Sequence, residues 1–261
     1  MEAKKPRKLP YGMSNFERLI TENFVYVDKT RFIEYIENEP NSNLFFTRPR
    51  KFGKSLFLNM MMRYYDFGYA DRFDRLFGNL YIGKHPTPNK NNYVVLKLDF
   101  SGLDTTKEEY LRKSFSRKME STVRGFFIEH LSSLPYAMAK AEELAGANGT
   151  IGLGALDLVF NVAGEVGKKV FIIIDEYDHF ANDIIALGDG QGDEYYRKMV
   201  GANSIVRDFY EKLKEASQTF IERILIVGIT PILLDDMTSG FNISNNISLK
   251  EKYNEVLGFT Q

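Results

Sequence analysis

Three short stretches hold residue types that could do chemistry on a phosphate. The first is Thr47–Leu56, TRPRKFGKSL. A phosphate-binding loop leaves a strand, turns through glycine, and opens a helix whose first amides and dipole attract anions. Its lysine reaches the outer phosphate oxygens and its Ser or Thr hydroxyl meets magnesium. In that reading Lys54 contacts the β and γ phosphates and Ser55 ligates Mg²⁺. The backbone of Arg48, Pro49, Arg50, Lys51, Phe52, Gly53, Lys54, Ser55 and Leu56 would hold ATP. One position departs from the pattern: the glycine expected five residues before Gly53 is Arg48. Gly-Lys-Ser/Thr alone arises by chance in about one chain of this length in eight, so its context must carry the argument.

The second stretch is Lys168–His179, KKVFIIIDEYDH. An aliphatic run ending in Asp-Glu can deliver Asp175 to Mg²⁺ and Glu176 to an attacking water as general base. A buried strand ending in solvated acids would look the same by itself. About 120 residues separate Gly53 from Asp175, room for a sheet with an inserted strand between the two motif strands. The third stretch, RILIVGITPI (Arg223–Ile232), ends a candidate strand on Thr230. That residue could sense the γ phosphate, or simply close a core strand at a turn.

These groups need a sheet to bring them together. Four apolar runs read as strands: Asn43–Thr47, Tyr93–Phe100, Lys169–Asp175 and Arg223–Thr230. The Ile- and Val-rich runs near Val170 and Ile224 suit strands covered on both faces, as in parallel sheets. Helical patterns alternate with them at Ser55–Tyr65, Lys107–Leu134, Tyr136–Leu144, Ala155–Glu165 and Asn203–Phe220. Strand alternating with helix implies an α/β fold with right-handed crossovers. A fifth strand is expected at Asn246–Leu249, followed by the start of a helix at Lys250. A chain that stops there implies further elements beyond it.

Composition narrows the classes. At 261 residues, with 44% hydrophobic and 26% charged residues, the chain can bury a large core. A net charge of −1 argues against bulk attraction to nucleic acid or anionic membrane, although MEAKKPRK and Arg48–Lys51 are locally basic. The absence of cysteine excludes disulfides and thiolate zinc sites. With no apolar leader and no membrane-length run, a cytoplasmic location is the expectation. His85, His130 and His179 lack metal-ligand spacing, and LGDGQGDE (Leu187–Glu194) reads as a mobile surface loop. Aromatics interleaved with Lys and Arg could stack on single-stranded nucleic acid, but core packing accounts for most of them.

Taken together, LPYGMSNFERLITENFVYVDKTRFI (Leu9–Ile33), FFTRPRKFGKSLFLNMM, VFIIIDEYDH and SGFNISNNISLKEKYNEVLGFT (Ser239–Thr260) resemble the bacterial AAA-ATPase-like family. In that family arginine commonly stands where other phosphate loops have glycine. The resemblance implies a three-layer P-loop NTPase of the AAA, additional-strand type, with a mostly parallel five-stranded sheet flanked by helices. It implies an N-terminal segment (1–36) packed on an ATPase core (37–249), then the start of a lid or second domain (250–261). Asp28, Lys29 and Thr30 would lie near adenine and ribose, or pack the N-terminal segment. Relatives often carry a PD-(D/E)xK nuclease-like domain after the core, none of which is present in this sequence, so that domain or a separate protein is the expected partner. Here the sensor strand reads VGITPI instead of a Thr-Gly-Val-Ser-like end. Arg48 and Arg50 are arginine-finger candidates if they turn toward phosphate. The reading is an ATP- and Mg²⁺-dependent ATPase whose turnover moves a partner. The alternatives are a non-hydrolysing nucleotide switch and a nucleic-acid-binding fragment that uses Arg48–Lys51. Self-association is left open.

Overall fold

The computed structural model describes residues 8–185, 196, 201, 204–231 and 244–258. Its elements run α1 (Phe16–Thr21), α2 (Phe32–Glu37), β1 (Asn43–Thr47) and α3 (Lys54–Tyr65), then α4 (Phe73–Phe77) and α5 (Tyr81–Lys84). There follow β2 (Tyr93–Asp99), α6 (Glu108–Glu129), α7 (Ala137–Ala147), α8 (Ala155–Glu165) and β3 (Lys169–Asp175). The last are α9 (His179–Ile185), α10 (Ile205–Ala216), β4 (Ile221–Gly228) and β5 (Asn245–Asn246). The leucine-, glycine- and acid-containing stretch Leu187–Glu194 lies outside the described residues.

The strands form one parallel sheet in the order β2-β3-β4-β1-β5. Parallel neighbours need crossovers, and the helices that supply them cover both faces. Strand side chains alternate between faces. Phe45, Leu96, Ile172, Ile174, Ile224 and Ile226 therefore pack with α6, α8 and α10. Leu44, Phe46, Val95, Phe171, Ile173, Leu225 and Val227 pack with α1, α2 and α3. Two covered faces explain why the strands read as unbroken apolar runs.

Strands β1 and β3 and helix α8 match their expected bounds, while other elements differ at the ends. Helix α6 stops at Glu129, short of Leu134: His130 leaves helical geometry (φ −104°, ψ 18°) and its ring Nδ1 turns back to the Phe126 carbonyl at 2.8 Å. Helix α10 begins at Ile205, where the Ser204 hydroxyl accepts the Arg207 amide. The expected strand Asn246–Leu249 is only Asn245–Asn246, and a single 3₁₀ turn, Glu251–Tyr253, replaces the expected helix start. Glu39 holds Lys250, Lys252 and Tyr253 there, which favours a tight turn over a helix. Among the described residues no helix is long and apolar enough to cross a membrane.

Candidate nucleotide site

Strand β1 ends at Thr47, and six residues later Gly53 opens α3 with φ +89°. Lys51 also takes a left-handed backbone, φ +66°. Gly53 is the position where this geometry needs glycine, since a Cβ at positive φ strains an L residue. A glycine at Arg48, by contrast, is not required: the Arg48 amide continues the sheet by donating to Gly228 O at 3.1 Å.

Lys54, the first residue of α3, is 5% exposed. Its ammonium folds back over the loop and donates to the carbonyls of Arg48 (3.0 Å) and Pro49 (3.1 Å). Ser55 and Leu56 follow, half-buried in the helix's first turn. Pro49, Arg50, Lys51 and Phe52 form the exposed rim. Arg48 does not join them, for its guanidinium turns away toward the carbonyls of Ser248 (2.8 Å) and Tyr253 (3.0 Å).

The acids arrive on β3. Asp175 is 1% exposed and pairs with Lys97 of β2 at 3.1 Å, while its other oxygen accepts the Glu176 amide. Glu176 has φ +51°, an uncommon conformation for a residue with a side chain. Burial raises the Glu176 pKa; the Lys54 charge opposes this, and the Asp175 and Asp178 charges add to it. Lys54 follows the end of β1 and Glu176 the end of β3. In β2, burial would raise the Asp99 pKa, but hydrogen bonds from Ser101 and the charges of Lys118 and Lys97 hold it below the usual carboxylate range.

Strand β4 lies between β1 and β3 as the inserted strand, and Thr230 follows two residues after its end. The Thr230 hydroxyl is engaged by protein: it donates to Asp178 at 2.7 Å, and the Thr230 and Ile229 amides donate to the same carboxylate. Tyr177 donates its hydroxyl to the Thr230 carbonyl. Asp178 and Tyr177 thus fix the end of β4 to the turn after β3. Asp28 is also satisfied internally. Its carboxylate accepts the amide and hydroxyl of Thr30 and the amide of Tyr81. These bonds join the N-terminal segment to the start of α5, and the Lys29 ammonium donates to Glu255 O.

Lys97 and Asp178 escaped the sequence reading. The signal for Lys97 was present, as the one charge interrupting the apolar run YVVLKL. Asp178 had no such mark, because its role depends on β4 lying beside β3.

Parallel strands in 5-1-4-3-2 order, a loop–helix basic site on β1 and acids on β3 define a P-loop NTPase-like α/β domain. The sequence profile described as "Predicted AAA-ATPase" matches residues 10–238. The chain belongs to this AAA-ATPase-like family. It is 25% identical over 260 residues to an "Uncharacterized protein in vnfD 5'region" of Azotobacter chroococcum mcd 1. That similarity takes in 98% of this chain and 43% of the relative, so the chain spans less than half of the relative's length. No solved structure matches. Family membership supports an ATP-binding domain.

Proposed function

We propose that this domain binds ATP with Mg²⁺ on the loop 48–55 and hydrolyses it in the cytoplasm. The observation that supports this most is the strand order, which sets the loop after β1 and the acids after β3 on either side of β4 in one parallel sheet. In this reading the rim amides and the α3 N-terminus cradle the phosphates, and Lys54 exchanges its two carbonyl partners for phosphate oxygens. The donor set suits Mg²⁺: a hydroxyl at Ser55 and a carboxylate at Asp175 are hard oxygen ligands. Bound there, Mg²⁺ would neutralise charge on the β and γ oxygens. Glu176 accepts a proton from water as the water oxygen bonds to the γ phosphorus, and the bond to the bridging oxygen breaks to release ADP. The burial that raises its pKa makes Glu176 the more effective base. Turnover in this reading moves a further domain, such as the nuclease-like domain that the family resemblance implies, or a protein partner.

Two measurements test the proposal. Millimolar ATP·Mg²⁺ raises the melting temperature of the wild-type chain, and Lys54→Ala abolishes the rise. The wild type releases phosphate, whereas Glu176→Gln keeps the thermal shift and loses release. Absence of any shift refutes nucleotide binding. A shift without phosphate release selects the second reading, a non-hydrolysing switch. The commitment of the Thr230 hydroxyl to Asp178 favours that reading, since it occupies the group expected to sense the γ phosphate.

A further inference from the structure

Arg48 stands where the common phosphate-loop pattern has glycine, and its side chain is occupied outside the loop. The guanidinium lies 4.4 Å from the Phe46 ring centroid. One of its nitrogens donates to the carbonyls of Thr47 (2.9 Å) and Ser248 (2.8 Å), and another to the carbonyl of Tyr253 (3.0 Å). Ser248 and Tyr253 belong to the segment 244–258, about two hundred residues further along the chain. That segment makes three more hydrogen bonds there, one of them from the Thr47 hydroxyl to the Ser248 hydroxyl at 3.1 Å. The Thr47 amide donates to the Ser248 hydroxyl at 2.9 Å, and the Gly258 amide donates to the Phe52 carbonyl at 3.2 Å. It is therefore bonded just before the loop, at its first residue, and just before Gly53.

A separate anchor seats the same segment. Glu39, at the C-terminal side of α2, accepts from Lys250 (2.7 Å), Lys252 (2.8 Å) and the Tyr253 hydroxyl (3.0 Å). None of these groups is in the loop, and Glu39 and Arg48 share no hydrogen bond. Besides the pairing of β5 with β1, the segment thus has one foothold on α2 and another at the loop, where Arg48 supplies two of the hydrogen bonds. A planar arginine fork can hold carbonyls of two different stretches at fixed spacing, which a lysine ammonium cannot reproduce.

We propose that Arg48 is a positioning residue that couples the segment 244–258 to the phosphate loop, so that seating the segment orders the loop for its ligand. Fixing both ends of a short loop removes conformational freedom that ligand binding would otherwise have to remove. By linkage, ligand on the loop must then hold the segment in place by the same factor. The ligand half of this proposal rests on the reading of residues 48–55 as a nucleotide loop, while the loop–segment half does not.

Hydrogen exchange on the full chain separates the two halves. In Glu39→Gln, amides of 244–258 exchange faster, and loop amides 50–55 follow by at least about fivefold, the low end of ordinary coupling. Arg48→Ala speeds the loop alike, and adding Glu39→Gln to it speeds the loop no further. Arg48→Lys, a milder change, gives an intermediate loop rate. In the wild type, ATP·Mg²⁺ slows exchange in 244–258; in Arg48→Ala it does not. The proposal is overturned if Glu39→Gln loosens the segment and leaves the loop unchanged. Additive loop effects of the two substitutions also overturn it, as does failure of Glu39→Gln to loosen the segment at all. If ATP gives a thermal shift while the segment stays silent, coupling fails and nucleotide binding stands. If ligand-free coupling is seen and ATP does nothing, the nucleotide reading fails instead.

Discussion

Replacing His130 with alanine probes the clamp at the far end of the phosphate-loop helix. Asp66 follows α3 directly, and it and His130 are each 1% exposed. The His130 Nε2 lies 2.8 Å from Asp66 Oδ1, which also accepts the Gly68 amide, while Asp66 Oδ2 accepts the Val95 amide. Nδ1 lies 2.8 Å from the Phe126 carbonyl. A carbonyl can only accept, so Nδ1 is suited to carry a proton, and a second proton on Nε2 would face the carboxylate. When both nitrogens are protonated the ring is a cation at the C-terminus of α6, where the helix dipole favours one. Burial alone would lower the His130 pKa, but the hydrogen bond and charge of Asp66, with the Phe126 carbonyl, outweigh it and raise the value. Removing one partner of a buried ion pair costs about 3–5 kcal/mol. At about 2–4 °C per kcal/mol for a chain of this size, His130→Ala loses roughly 6–20 °C of melting temperature. The sign with pH follows from the raised value. Below about pH 6.5 the folded and unfolded rings are both protonated and the contribution is complete. As pH rises toward the folded-state value, the native chain holds a proton that the unfolded chain has lost. Wild-type stability then falls by up to about 1.4 kcal/mol per pH unit. Urea unfolding of both chains between about pH 6 and pH 8 measures this. The reasoning is refuted if both lose stability with the same slope, or if the wild type exceeds the variant by less than about 1 kcal/mol at the acid end.

Two further substitutions test the site's framework. Lys97→Met removes the ammonium 3.1 Å from buried Asp175 and should cost about 1–3 kcal/mol. Adding Asp175→Asn recovers part of that loss in urea unfolding, and a purely additive pair would show that the contact contributes nothing. Gly228→Ala places a Cβ against the Tyr177 ring and Asp178 Oδ1, so the unfolding midpoint should drop by the equivalent of about 1–3 kcal/mol. An unchanged midpoint would show that the junction of β4 with the turn after β3 is loose.

The parts of the fold legible in the sequence are those set by burial on two faces. The runs NLFFT and KVFIIID had to be central strands, and each appears with its expected bounds. The short helices between Phe67 and Lys84 carry no comparable period. They are held by core packing of Phe73, Phe77 and Ile82 against α1 and α3, and by contacts distant in sequence, such as Asp28 receiving the Tyr81 amide from 53 residues away. Lys54 and Glu176 were legible because a lysine after Gly53 and an acid after an aliphatic strand each have a fixed place on a parallel sheet. The orientation of Arg48 was not, since its acceptors are main-chain carbonyls about two hundred residues later and carbonyls leave no mark in a sequence. Thr230 was legible in place but not in bonding, because nothing local shows that Asp178 takes its hydroxyl.

The strand order also sets a timetable for synthesis. Among the described residues β1 pairs with β4 and β5 alone, and both come from the last 41 positions of a 261-residue sequence. While the ribosome is still making residues 48–220, the loop and its helix hang from a strand with no neighbour, and β2 and β3 can zip together without them. The ends of β1 and β3, which lead to Lys54 and Glu176, can join one sheet only once Ile221–Gly228 has been made to lie between them. Such late, long-range closure is slow, and until it happens the apolar edges of β1 and β3 are open to wrong partners. A nascent chain halted before residue 221 should therefore call on chaperones more heavily than one halted after β5.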